Sequence, residues 1–139
     1  MLAIGALAGC TNSPAVHVAV PAGLHAGCDR LHRELTGDLG GLDRRDTEPA
    51  SGRTAAWGDP PLVLRCGVPR PAGLAADSEL IEVNGVAWYL SEGTRPYVFT
   101  TVGSGTYVEV RVPRSTPRTE ATGPLVDLAP AVQAAFPDG

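Results

Sequence analysis

The sequence predicts an α+β fold, in which an antiparallel sheet of about five or six strands packs against an N-terminal and a C-terminal helix as two layers. Three observations predict it. An apolar pattern of helical spacing lies near the start, strand-like segments follow, and a second helical pattern closes the chain. Among the strand-like segments, an Asn-Gly pair separates two apolar runs, which is the strongest short signal for a hairpin.

The first predicted helix lies between residues 24 and 39 and follows a short alternating strand, residues 16–20. Its apolar residues recur every three or four positions, and charged residues occupy the opposite side. The apolar residues are Leu24, Cys28, Leu31, Leu35 and Leu39. The pair Gly40-Gly41 is predicted to end this helix.

Further segments have the composition and alternation of strands. They are residues 55–57, 62–68, 80–83, 86–90, 97–102 and 107–112. Turns at Asn84-Gly85 and at Gly103-Ser104-Gly105 are predicted to join the last four segments into two hairpins. In the last strand the predicted buried face carries Val108, Val110 and Val112, and the predicted solvated face carries Tyr107, Glu109 and Arg111.

The closing helix follows a linker rich in Pro, Arg and Thr, residues 113–123. Asp127 is a plausible N-cap, and a helix beginning there would hold Pro130 in its first turn, where a missing N–H does little harm. Leu128, Val132, Ala135 and Phe136 would then face the core.

The first ten residues form an apolar run that ends in Leu7-Ala8-Gly9-Cys10, the pattern of a bacterial lipobox. The run is too short to span a bilayer, which needs about 20 apolar residues. We expect residues 1–9 to belong to a signal peptide, residues 10–15 to be a lipidated cysteine and a short tether, and residues 16–137 to form one domain. Because no Lys or Arg precedes the run, the true start is expected upstream of Met1. The alternative is an apolar N-terminal strand with an incidental cysteine.

Cys28 and Cys66 remain once Cys10 is assigned to lipid, and they can pair in only one way. In an oxidising compartment such a pair is expected to form a disulfide. The alternative is two independent buried thiols. A metal site is less favoured, because neither cysteine has a second Cys or His at ligand spacing.

The composition of the chain disfavours one class of function, the binding of nucleic acid. All eleven basic residues are Arg, and the net charge is −4, so no basic stripe is available to neutralise phosphates and nucleic-acid binding is disfavoured. The Arg-only, Pro- and Gly-rich composition is typical of a GC-rich genome of the actinobacterial kind.

Signals for catalysis are weak. The chain has no Gly-x-Ser-x-Gly, no phosphate loop and no dinucleotide fingerprint, and no cofactor is predicted. His25, Asp29 and His32 fall on one flank of the first predicted helix and could hold a divalent metal. The other interpretation of these three residues is a solvated helix surface.

The candidates for binding a ligand or partner are Arg44, Arg45, Trp57, Asp59 and Arg65. Trp offers a stacking face and Arg a bidentate clamp, and both residue types anchor interfaces. The structural alternative is a Trp in the core, an Asp that stabilises a turn and an Arg paired across strands.

Several motifs occur in a fixed order along the chain. They are Cys28-x-x-Leu31, Arg44-Arg45, Ala56-Trp57-Gly58-Asp59-Pro60, Leu64-Arg65-Cys66-Gly67-Val68-Pro69, Asn84-Gly85-Val86-x-Trp88, Phe99-Thr100-Thr101, Val108-Glu109-Val110 and Leu125-Val126-Asp127-Leu128. Together they resemble an uncharacterised family of small actinobacterial secreted proteins and lipoproteins, a domain of unknown function. The resemblance implies export and a single domain, and it implies no chemistry.

The sequence therefore predicts a non-catalytic lipoprotein that is anchored by lipid on Cys10, with acyl chains such as palmitate, to the outer face of the cell membrane. Its domain would bind an envelope protein or a cell-wall ligand, or assist envelope assembly. The alternative is a small extracytoplasmic hydrolase or metal-dependent enzyme that uses His25 and His32.

Overall fold

The computed structural model describes residues 14–23, 25–35, 37–91 and 96–137. The predicted lipobox with Cys10 and the predicted helix residue Leu24 lie outside the described residues. The elements are β1 (Val16–His17), α1 (Cys28–Glu34), β2 (Arg44–Arg45), β3 (Thr47–Glu48), β4 (Thr54–Trp57), β5 (Leu62–Val68), β6 (Ile81–Val83), β7 (Val86–Leu90), β8 (Tyr97–Thr101), β9 (Tyr107–Val112), a 3-10 helix (Arg118–Glu120) and α2 (Gly123–Ala135). The described residues contain no helix with the length and apolar character needed to cross a membrane.

Within the described residues, the main sheet is antiparallel and has seven strands in the order β2-β4-β5-β9-β8-β7-β6. The predicted α+β class is therefore confirmed, and the sheet gains the two-residue strand β2, which is too short for an apolar pattern to reveal. β1 and β3 form a separate two-stranded parallel ladder. Both predicted hairpins are present, and Asn84 and Gly85 have φ of 49° and 87°, as a type I′ turn requires.

The hydrophobic core lies between one face of this sheet and the two helices. Alternate strand residues face the helices, among them Trp57, Leu64 and Val110, and α1 and α2 contribute Leu31 and Leu128; all five are buried. A disulfide joins Cys28 of α1 to Cys66 of β5, with a Cα–Cα distance of 5.7 Å. The bond therefore ties the first helix to the middle of the sheet.

Two further segments of the described chain lie against the other face of the sheet, the first of which contains β1. In the first, residues 14–23, the Ala19 carbonyl accepts a hydrogen bond from Arg65 of β5 at 3.1 Å, and Val18 is buried. In the second, residues 69–80, a Cβ built on Gly73 would lie 2.5 Å from the Tyr89 hydroxyl of β7. The predicted solvated face is therefore only partly solvated, and Glu109 is buried on it.

The first helix is shorter than predicted. It begins at Cys28, because Gly27 has a positive φ of 93° and the Phe136 ring lies against it. It ends at Glu34, and Leu39 instead forms a β-bridge with Leu42. The leucine spacing predicted one continuous helix, whereas these contacts divide it into a helix and a loop.

The second helix is longer than predicted, since it begins at Gly123 with Thr122 as its N-cap residue. The prediction that Asp127 is the N-cap is therefore wrong. The physical reason is that Pro124 lies in the first turn of this longer helix, where the missing N–H of proline costs no helical hydrogen bond. Pro130 consequently lies inside the helix, on its exposed side.

Candidate functional site

Arg44 and Trp57 form one internal contact on the helix-facing side of the sheet. The Arg44 guanidinium lies 5.3 Å from the centre of the Trp57 ring and donates a hydrogen bond to the carbonyl of Leu35, which follows the last residue of α1. A cation at a helix C-terminus interacts favourably with the helix dipole. Trp57 is buried, and its Nε1 donates to the Gly37 carbonyl at 3.0 Å. Both residues therefore hold the end of α1 against the sheet.

Arg45 points to the opposite side of the sheet and joins two segments. One terminal nitrogen donates to the Gly58 carbonyl at 2.7 Å, and the other donates to the Pro14 carbonyl at 2.6 Å. The start of the described chain is thus fixed beside the β4–β5 turn. We call this the Pro14 end of the sheet. Trp57, Leu62 and Val112 lie at this end, since β4 ends, β5 begins and β9 ends there.

Arg65 belongs to an ion-pair cluster in the middle of the sheet. Its Nε donates to Glu109 Oε1 at 3.1 Å, and Nε of Arg111 donates to the same oxygen at 2.9 Å. Burial raises the pKa of Glu109, but the hydrogen bonds and positive charges of Arg65 and Arg111 outweigh it, so that the pKa lies below its usual value. Glu109 is therefore a carboxylate at neutral pH, and it joins β9 to β5.

Asp59 is exposed in the turn between β4 and β5 and lies away from the Arg65 cluster, which is several residues further along β5. The five predicted binding residues are thus divided among a helix-end contact, a contact to Pro14, a turn and an ion-pair cluster. The structure does not gather them into one patch.

The structure does not gather the three predicted metal candidates into one site. Among residues 14–23, 25–35, 37–91 and 96–137, no three His, Cys, Asp or Glu side chains are grouped to hold a metal ion. His25 precedes α1 and lies against Gly67. Burial lowers the pKa of His32, and the positive charge of Arg44 lowers it further, against the opposing effect of Asp29.

A groove opens at the Pro14 end, with a volume of about 590 Å³. Its base is apolar and is formed by Leu39, Leu62 and Val112, and Leu42 lines one side. Leu42 is 37% exposed and is one of three exposed large apolar residues in the described chain, with Leu80 and Val126. We call this feature the Leu42 groove.

The opposite side of the Leu42 groove is formed by the linker after β9 and by the first turns of α2. Thr116 and Thr119 contribute hydroxyl groups, and Glu120 and Asp127 contribute carboxylates. The Asp127 carboxylate approaches the loop opposite, since a Cβ built on Gly40 would lie 2.5 Å from its Oδ2. No arginine lines the groove within the described part of the chain.

The groove is connected to Pro14 through a short series of contacts. Gly58 accepts a hydrogen bond from Arg45, which also holds Pro14, and a Cβ built on Gly58 would lie 3.2 Å from the Leu42 side chain. A ligand in the groove would therefore lie beside the point at which the chain leads back towards Cys10.

Comparison with known proteins places the chain in a family. Residues 2–139 match the family described as "Protein of unknown function (DUF3515)". The chain belongs to this family. No curated protein and no solved structure is significantly similar to it. Membership in DUF3515 supports the resemblance in sequence and assigns no activity.

Sequence reasoning missed the Leu42 groove in this DUF3515 protein. Its walls come from segments more than 60 residues apart in the sequence, at Leu42 and at Thr116, and only the fold brings them together. One signal was present in the sequence: Leu42 is an apolar residue that follows Gly40-Gly41 and begins a polar loop.

Proposed function

We propose that the protein is an extracytoplasmic lipoprotein, anchored through acylated Cys10 to the outer face of the cytoplasmic membrane, and that its domain binds a partner without catalysis. The observation that carries the proposal is the disulfide between Cys28 and Cys66, found in a chain whose first residues have the lipobox pattern.

The disulfide supports export because stable disulfides form in oxidising compartments and are rare in the cytosol. Both sulfurs belong to buried residues that link different layers of the fold. The bond is thus part of the core, and the protein would be expected to need an oxidising compartment to complete it.

The geometry near Pro14 supports a defined orientation at the membrane. Pro14 is four positions after Cys10, and four extended residues span at most about 14 Å. Two acyl chains on one cysteine are sufficient for stable anchoring. The Pro14 end of the sheet, together with the Leu42 groove, would then face the membrane, where it could meet the periplasmic or extracellular part of a membrane-bound partner.

The test is metabolic labelling with an alkyne fatty acid in a bacterial host that processes lipoproteins. We expect label on the wild-type protein in the membrane fraction, and no label on Cys10→Ser. Cys28→Ala serves as the control, because it removes a cysteine but leaves the lipobox, and it should retain the label. An unlabelled wild-type protein with an uncut N-terminus would refute the anchoring proposal.

A further inference from the structure

We propose that the Leu42 groove binds a short extended segment of a partner protein, in which a cationic side chain is flanked by apolar residues. The inference rests on the proposed binding function, but it does not require the lipid. It follows from the shape of the groove, from its charge and from the occupants that its charge disfavours.

The shape suits a peptide. Sites for small molecules typically have volumes of about 300–1,000 Å³ and enclose most of the ligand. The groove has a comparable volume, about 590 Å³, but Leu42 on one side and Glu120 on the other are both exposed, so that it is open along its length. Because Leu39, Leu62 and Val112 are at most 7% exposed, an extended chain would place an apolar side chain against the exposed Leu42 and leave its ends in solvent.

The charged side chains that line the Leu42 groove are suited to binding a cation. Glu120 and Asp127 are the charged residues that line the groove, and neither forms an ion pair with an arginine of the described chain. In the described chain the acids that form ion pairs are Glu34, with Arg30, and Glu109, with two arginines. What distinguishes Glu120 and Asp127 from the other unpaired acids is that both line the same groove. Two unpaired carboxylates beside an apolar base complement a Lys or Arg side chain that has apolar neighbours.

The same carboxylates disfavour other occupants. Anionic lipid headgroups would be repelled by Glu120 and Asp127. A second copy of the chain in a two-fold dimer would bring the same groove to the interface, and like charges would meet. Residues 1–13, which precede the described chain, contain no Lys or Arg and so do not supply the cation. A cationic segment of a different protein is the occupant that fits.

The test uses the full chain with Cys10→Ala, so that lipidation plays no part. The probe is a five-residue peptide with blocked ends and the sequence Val-Leu-Arg-Leu-Val, and its matched controls carry Glu or norleucine in place of Arg. Amide shifts in ¹H–¹⁵N spectra report where each peptide binds. We expect the Arg peptide to shift the amides of Leu42, Thr119 and Asp127, and to bind at least about 10-fold more tightly than either control.

The double variant Glu120→Gln/Asp127→Asn should weaken binding of the Arg peptide by about 10-fold. Glu82→Gln/Asp77→Asn is the matched control, since it removes the same charge from exposed positions outside the groove, and it should leave affinity within about 2-fold.

Three outcomes would overturn the inference: no shift of groove amides at about 5 mM Arg peptide, equal binding of the Glu or norleucine peptide, or shifts of the same amides by anionic vesicles in place of the peptide. Because the peptide series tests charge preference on the unchanged groove, it stands even if the double variant fails to fold. If the peptides fail to bind but the lipid labelling of Cys10 succeeds, the groove proposal is refuted and the anchoring proposal stands.

Discussion

Removal of the Cys28–Cys66 disulfide should reduce the stability of this protein by about 4 kcal/mol. The two cysteines are 38 residues apart in the sequence, and the chain-entropy relation gives about this value for a loop of that length. Net stabilities of domains are about 5–15 kcal/mol, so the loss is a large fraction of the total. For a domain of this size it corresponds to a fall in Tm of about 15 °C.

The assay is thermal unfolding followed by circular dichroism, with urea unfolding as a second measure. Cys28→Ala/Cys66→Ala is the test variant, because alanine leaves no unsatisfied polar group in the core. Cys10→Ala is the matched control and should melt with the wild type. Because Cys28 and Cys66 are only 2% and 1% exposed, the folded protein should also resist reduction until it unfolds.

A difference in Tm of less than about 3 °C between the double variant and the control would refute the reasoning. Rapid alkylation of both cysteines in the folded protein would refute it as well, because that result would mean that the sulfurs are free and accessible.

Three further predictions concern the packing around this core. Glu109→Gln should lower the free energy of unfolding by about 2 kcal/mol at pH 7, as measured in urea. The pKa of Glu109 is lower in the folded state than in the unfolded state, so its stabilising effect is present above the unfolded pKa and is lost as the pH falls through the folded pKa. The variant should therefore lose less stability on acidification than the wild type. Gly27→Ala should destabilise the fold more than Gly37→Ala, which should itself cost about 1 kcal/mol. Both glycines have a positive φ, but a Cβ on Gly27 would lie against the Phe136 ring, whereas one on Gly37 would meet nothing within 4 Å. Equal losses of Tm in thermal melts would contradict this packing. Arg44→Ala should raise the pKa of His32 in an NMR titration, because it removes the positive charge that lowers this pKa in addition to burial. An unchanged pKa would mean that Arg44 does not act on His32.

Local patterns predicted the strands well. β5 has the predicted bounds, Leu62–Val68, and the Asn84-Gly85 turn forms the predicted hairpin between β6 and β7. These elements depend on alternation and on turn residues, both of which can be read over a few positions. The Cys28–Cys66 pair could be predicted because only two cysteines remained, and the structure confirms it.

Contacts between distant segments explain what the sequence could not predict. The leucine pattern continues past Glu34, but Arg44 binds the Leu35 carbonyl and Leu39 pairs with Leu42, so that the helix ends early. Glu109 alternates like a solvated residue, yet it is buried and forms ion pairs with Arg65 and Arg111. Neither effect has a signal within a short window of sequence.

The candidate site was the least predictable part. Residue type predicted Arg44 and Arg45 as candidates for binding a ligand or partner. In the structure their guanidinium groups donate to main-chain carbonyls of this protein, at Leu35, Gly58 and Pro14. The Leu42 groove is lined by residue types that carry no functional signal by themselves. It forms only because the fold brings the linker after β9 opposite Leu42.

The most direct test of the account is the mass of the native protein after extraction from membranes and proteolysis. We predict an N-terminal peptide that begins at Cys10 and carries the mass of its acyl chains, together with a disulfide-linked peptide pair containing Cys28 and Cys66. An unmodified N-terminus upstream of Cys10, with free thiols at both other cysteines, would contradict it.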